Sequence, residues 1–184
     1  MKATGIVRRI DDLGRVVIPK EIRRTMRIRE GDPLEIYTDR EGEVIFKKYS
    51  PIGELQNFAT EYADTLQKTT GMPILICDRD AVIAVSGASK REYLDRKISR
   101  GLEEIIEGRG LYIRGSGRET ISVTDDGGSH YVSCAMPIIS EGDIVGCVVS
   151  AWQFDTPTTD KLSDEVESKL IQTAGIFLAK QMEN

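Results

Sequence analysis

Four short runs of alternating apolar and polar residues, with one two-turn helical segment among them, fill the first fifty residues of the chain. Elements this short cannot bury much surface by themselves, and the segment has no cysteine or histidine for a disulfide or a metal ion to compensate. Sharing a core with a second copy is the physical remedy, so this module is expected to dimerise.

The order of those elements follows from local chemistry. Thr4 to Ile10 alternates as a strand, with Ile6, Arg8 and Ile10 on one face and Val7 and Arg9 on the other. Asp11-Asp12-Leu13-Gly14 reads as a turn, because aspartate caps its own backbone and glycine accepts positive φ. Arg15 to Ile18 returns as a second strand, Pro19 suits the start of a helix, and Lys20 to Ile28 makes about two turns. A hairpin follows, with Leu34 to Thr38 and Glu43 to Tyr49 joined through Asp39-Arg40-Glu41-Gly42.

Tyr49-Ser50-Pro51 marks a boundary, since proline disfavours helix at the residue before it. Residues 1–50 therefore read as one domain and 51–184 as another. The second begins with a helical stripe of Leu55, Phe58, Tyr62 and Leu66. Strands are predicted at Ile74–Asp78, Ala81–Ser86, around Leu111-Tyr112-Ile113, at Glu119–Thr124, Tyr131–Ile139 and Asp143–Trp152. Short helices are predicted after Ser89, which forms a capping-box pattern with Glu92, and at Ser99–Glu107. A long helix from about Thr159 to Met182 closes the chain. This is an α+β pattern. The apolar stripes of its first and last helices suit either a bundle between subunits or a cover for their own sheet.

Charge separates the two segments more sharply than composition does. The formal net charge of the 184 residues is -5, yet residues 1–50 sum to +3 and residues 51–184 to -8. Within the first segment, residues 1–29 carry +6 and residues 30–46 carry -5. The basic set is Arg8, Arg9, Arg15, Arg23 and Arg24, with Lys2, Lys20, Arg27 and Arg29 around it. Its acidic counterparts are segregated instead of interleaved at salt-bridge spacing, which favours a nucleic-acid surface over a solvated charged face. Arginine fits that role because its planar fork donates paired bonds to phosphate.

The string TGIVRRIDDLGRVVIPKEIRRTMRI resembles the DNA-binding module of the AbrB-type transition-state regulators, along a match that runs from Lys2 to Tyr49. The resemblance implies a swapped-hairpin β-barrel built from two interleaved chains that binds double-stranded DNA. It carries the family's DNA-contacting arginines onto Arg8, Arg15, Arg23 and Arg24, with Arg9 at a variable basic position. The rest of the chain resembles the GAF-like domain that follows this module in a sporulation member of the group, most clearly at ILICDRDAVIAVSG and AGIFLAKQME. The resemblance then implies a transcription regulator of late sporulation genes, activating some promoters and repressing others. It also implies a homodimer through the first domain and a homotetramer through the second.

Other signals point to no separate chemistry. The apolar tract Ile144–Trp152 is too short for a membrane helix, and Lys2, Arg8, Arg9, Asp11 and Asp12 interrupt any signal-like run, so a cytoplasmic, nucleoid-associated protein is expected. Cys77, Cys134 and Cys147 lack CxxC spacing and read as buried thiols. His130, the sole histidine, has no metal-ligand spacing around it, and Ser129 beside it lies in no nucleophile elbow. The glycine pairs Gly115/Gly117 and Gly127/Gly128 read as turns. No catalytic site, metal or cofactor is expected. Tyr112, Tyr131, Met136 and Trp152 fall on or near strands, where they suit plain core or the lining of a ligand pocket. An antitoxin-like protein and a purely architectural DNA-binding oligomer are the remaining alternatives.

Overall fold

The computed structural model describes residues 5–115, 119–154 and 162–183. It divides into two compact units, Met1–Tyr49 and Ser50–Asn184.

In the first unit, helix α1 (Lys20–Thr25) starts behind Pro19 and strands β1 (Leu34–Thr38) and β2 (Val44–Lys48) form an antiparallel hairpin. The helix is shorter than the Lys20–Ile28 of the sequence reading, because Met26 leaves the helical conformation and Arg27 turns to φ 52°. The strands anticipated at Thr4–Ile10 and Arg15–Ile18 are not seen among the described residues: 5–10 and 15–18 take no regular secondary structure within the chain, and Gly5 lies at φ 69°. Their turn nevertheless has the same construction as the β1–β2 turn. Asp11 Oδ1 accepts from the Leu13 and Arg15 amides at 3.0 and 2.8 Å, and Asp39 Oδ1 accepts from Glu41 and Glu43 at 3.0 and 2.8 Å. Gly14 and Gly42 supply the positive φ, 75° and 86°, that this Asp-x-x-Gly loop requires. Among the described residues of this unit only Pro19 is buried, and Val7, Ile10, Leu13 and Val17 are each 69–88% exposed.

The second unit is a three-layer α+β arrangement. Its elements are α2 (Pro51–Glu54), α3 (Gln56–Thr70), β3 (Ile74–Cys77), β4 (Val82–Ser86), α4 (Lys90–Tyr93), α5 (Arg100–Glu107), β5 (Tyr112–Ile113), β6 (Ser122–Thr124), β7 (Gly127–Ser140), β8 (Asp143–Trp152) and α6 (Asp164–Gln181). The sheet runs β4-β3-β8-β7-β5 with β6 also on β7, and the pairings among these described strands are antiparallel. Glu141 and Gly142, both at positive φ, make the two-residue turn between β7 and β8 whose twist suits a hairpin.

Alternation along the strands divides the core in two. Ile74, Ile76, Cys134, Ile138 and Val148 face α3 and α6, where Ala59, Ala63, Leu66, Ile171, Ala174 and Leu178 meet them. Leu75, Cys77, Val85, Val132, Ala135, Cys147 and Val149 face α4 and α5, against Tyr93, Leu102 and Ile106. The small residues of α3 sit against the sheet, so Phe58 and Tyr62 of the anticipated stripe lie at its flank, only partly buried. Gly175 lets α6 approach β7, since a β-carbon there would come within 2.6 Å of Met136 Cγ.

Helix starts were mostly readable. Ser99 and Ser163 cap α5 and α6 by accepting from Leu102 and Val166. The capping box at Ser89 does not form: its side chain makes no cap bond, and the Glu92 carboxylate accepts instead from the Ser129 amide on β7 at 3.2 Å. The anticipated start of the last helix, Thr159, lies outside the described residues, as do Lys2, Thr4 and Gly117. No helix among the described residues is long and apolar enough to cross a membrane.

Candidate nucleic-acid interface

The five arginines singled out by sequence stand on three pieces of the first unit. Arg8 and Arg9 are consecutive in the segment that precedes the Asp11 turn. Arg15 follows the Asp11 turn. Arg23 and Arg24 occupy the last turn of α1, where cations complement exposed carbonyls. All five are exposed.

Their ionic surroundings differ from those of the neighbouring bases. Among the described residues Arg8, Arg9, Arg23 and Arg24 have no ion-pair partner. Lys48, by contrast, lies 3.5 Å from the almost fully buried Asp32 carboxylate and donates to the Arg27 carbonyl at 3.0 Å. Lys47 lies over the Tyr37 ring at 4.4 Å. The hairpin's lysines thus serve its own packing, whereas four of the arginines remain available to an external anion.

Arg15 is the exception, and it reveals a residue that charge counting passed over. Its Nε donates to Asp11 Oδ2 at 2.8 Å while its amide donates to Oδ1 of the same carboxylate. These two bonds, the backbone one first, hold the Asp11 carboxyl below its ordinary range. One carboxylate therefore shapes the turn and holds the guanidinium by Nε, while the Arg15 side chain stays exposed. The Asp-to-Arg spacing of four across an Asp-x-x-Gly turn was the available signal.

Elsewhere the other candidate groups are placed in the second unit. Burial raises the thiols of Cys77 and Cys147 and pushes Cys134 up to about 12, so none is a ready nucleophile. His130 is buried, with Tyr93 Oη 3.1 Å from Nδ1 and Gln153 Nε2 2.8 Å from Nε2. Burial lowers its basicity, against a smaller opposing pull from Glu92. Among the described residues no three His, Cys, Asp or Glu side chains gather as a metal would need. Of the pocket candidates, Tyr131 and Trp152 pair across β7 and β8, while Tyr112 packs with the α4–α5 core and Met136 against the α3–α6 core.

Known proteins align with both units. The family model described as stage V sporulation protein T C-terminal, transcription factor, matches residues 54–183, and the MazE antidote-toxin recognition model, a bacterial antitoxin family, matches residues 7–53. Stage V sporulation protein T of Bacillus subtilis is 54% identical over the whole of this chain and 99% of its own length. The N-terminal DNA recognition domain of the B. subtilis regulator AbrB is 63% identical across 28% of this chain and 94% of that one, with a TM-score of 0.25. The A. aeolicus nlh2 GAF domain covers 73% of this chain and 85% of its own at 16% identity and a TM-score of 0.49. The chain is an AbrB-type transcription factor with a DNA-recognition N-terminal domain, and it belongs to the stage V sporulation protein T family.

Proposed function

We propose that residues 1–50 of two copies interleave into a swapped-hairpin barrel whose Arg8, Arg9, Arg15, Arg23 and Arg24 grip double-stranded DNA. One observation carries the reading: a unit in which Pro19 is the single buried residue among those described displays its apolar side chains together with its exposed arginines. Packing 5–10 and 15–18 against a second copy covers Val7, Ile10, Leu13 and Val17, which are exposed in the single chain. Apolar burial of this kind is worth about 25 cal/mol per Å².

Arginines on a turn and a two-turn helix follow phosphates and groove width better than they read base edges, which suits a regulator of many promoters. Residues 51–184 join dimers into tetramers through the partly exposed aromatic group of Phe58, Tyr62 and Phe177, whose rings stand 5.2–6.2 Å apart on α3 and α6. The relative's part in sporulation supports late sporulation genes as targets, with activation at some and repression at others. The match to an antitoxin model favours a toxin-neutralising module as the second reading. A DNA titration against salt separates the two. Six to ten phosphate contacts give a logarithm of affinity that falls by about 0.9 per contact for each decade of salt. A nearly flat dependence removes the arginine mechanism.

A further inference from the structure

At one end of the sheet three neighbouring strands bring together a group of side chains that DNA binding does not use. Trp152 closes β8, Tyr131 is its register partner on β7, and Arg114 follows β5, its amide donating to the Ser133 carbonyl at 2.8 Å. Phe154 lies just beyond β8. The Tyr131 and Trp152 ring centroids are 5.4 Å apart, and Phe154 stands at 71° to both, 5.1 Å from Tyr131 and 4.8 Å from Trp152. The Arg114 guanidinium lies over the indole, 4.0 Å from its centroid. Two positions before Trp152, Ser150 donates to Glu167 of α6, so the strand's alternation puts Trp152 on the α6 side of the sheet, away from α4 and α5.

Three features distinguish this cluster from ordinary core. Arg114 has no carboxylate partner among the described residues, so a cation stacked on an indole still has free N–H groups at its edge. Trp152 Nε1 is buried and has no acceptor among them, although buried N–H groups are rarely left unpaired. Phe154, the outermost ring, is 66% exposed. The polar atoms offered by Arg114 and Trp152 are donors, and the walls are aromatic.

We propose that this cluster is a binding site for a small aromatic carboxylate. The carboxylate supplies what both groups lack, an acceptor-only anion that meets the guanidinium fork bidentately and takes the indole N–H. The ring of the ligand packs against Tyr131 and Phe154, whose angled faces favour edge-to-face contact. The site is independent of the DNA-binding reading, because it can be occupied and observed with no DNA present.

Trp152 is the only tryptophan of the chain and so reports on its own site. Benzoate titrated into the full-length protein should change its emission saturably. Benzyl alcohol, which keeps the ring and loses the charge, and acetate, which keeps the charge and loses the ring, should each bind at least ten-fold more weakly. R114Q should weaken benzoate by a similar factor with an unchanged circular dichroism spectrum. Absence of saturable binding overturns the proposal, as does benzyl alcohol or acetate matching benzoate, or a folded R114Q that binds as the parent does. Because the two analogue comparisons use the unaltered protein, they decide the matter even if R114Q does not fold.

Discussion

Asp11 shows how much one exposed carboxylate can organise. It accepts two backbone amides and the Arg15 Nε, and the carboxyl is held low by those bonds, so it remains ionised until the solution is strongly acidic. Its contribution is therefore present at neutral pH and lost only as pH falls below the ordinary carboxylate range. Asp11→Asn keeps much of the turn but loses the charge that fixes Arg15. We expect it to weaken DNA binding by about three- to ten-fold, a modest effect because the pair is exposed. Affinity measured for D11N, R15A and the double variant checks this: the double variant should bind no more weakly than R15A. Arg24→Ala tests the other kind of residue, an arginine without a partner. Two copies per dimer lose one phosphate contact each, so the salt slope should drop by about two while stability stays within about 0.5 kcal/mol. The arginines were legible as a charge pattern because exposure and segregation are properties of composition along the chain. Asp11 was legible as a turn former only, since its hold on Arg15 depends on how the turn folds back.

Among the elements, the α4–β7 junction explains both a misread cap and a pH effect. Glu92 was expected to close a box with Ser89, but it serves the Ser129 amide, and Tyr93 beside it accepts from the His130 amide at 3.0 Å while facing the ring's Nδ1. A local pattern cannot anticipate a strand 37 residues away that competes for the same carboxylate. Folding lowers the affinity of the His130 ring for protons, chiefly through burial. The unfolded chain therefore takes up its proton first as pH falls through about 6.5, and the second unit loses stability there, whereas above that pH the stability is fully present. His130→Gln should flatten the dependence between about pH 7 and 5 in urea unfolding followed by Trp152 fluorescence; an unchanged slope would show that His130 does not set it. Gly146 makes a packing test of the same sheet. A β-carbon there would collide with the Cys77 carbonyl, and backbone cannot step aside as a side chain does. Gly146→Ala should cost about 1–3 kcal/mol, read as a lower urea midpoint. The strands of this unit were legible because apolar runs between turn residues report burial directly. The double character of α6 was not: Ile171, Ala174 and Leu178 face the sheet, while Val166, Ile176 and Phe177 remain exposed, and a list of apolar positions does not say which side meets which neighbour.

At the scale of the whole molecule, the two units obey different thermodynamics. Ser50–Asn184 encloses two apolar clusters of its own, so its folding needs no second chain. Met1–Tyr49 has no comparable cluster among its described residues, and segments 5–10 and 15–18, whose alternation predicted strands, form none within the single chain, because alternation reports burial against a partner that one copy does not supply. If that partner is a second chain, the stability of the first unit must follow mass action: each ten-fold dilution below saturation removes about 1.4 kcal/mol from the assembled state. Tethering through α3 and α6 would raise the local concentration of first units, so Phe177→Ser should make the effect steeper by separating tetramers into dimers. Hydrogen exchange of the full-length protein, followed over a thousand-fold dilution, measures both units in one sample. Amides of β1 and β2 should lose protection as the protein is diluted, and those of β3 and β8 should not. Protection of residues 34–48 that holds constant to the lowest concentration, in a protein that light scattering shows to be monomeric there, would mean that the first unit is stable alone, and the interleaved barrel would have to be abandoned.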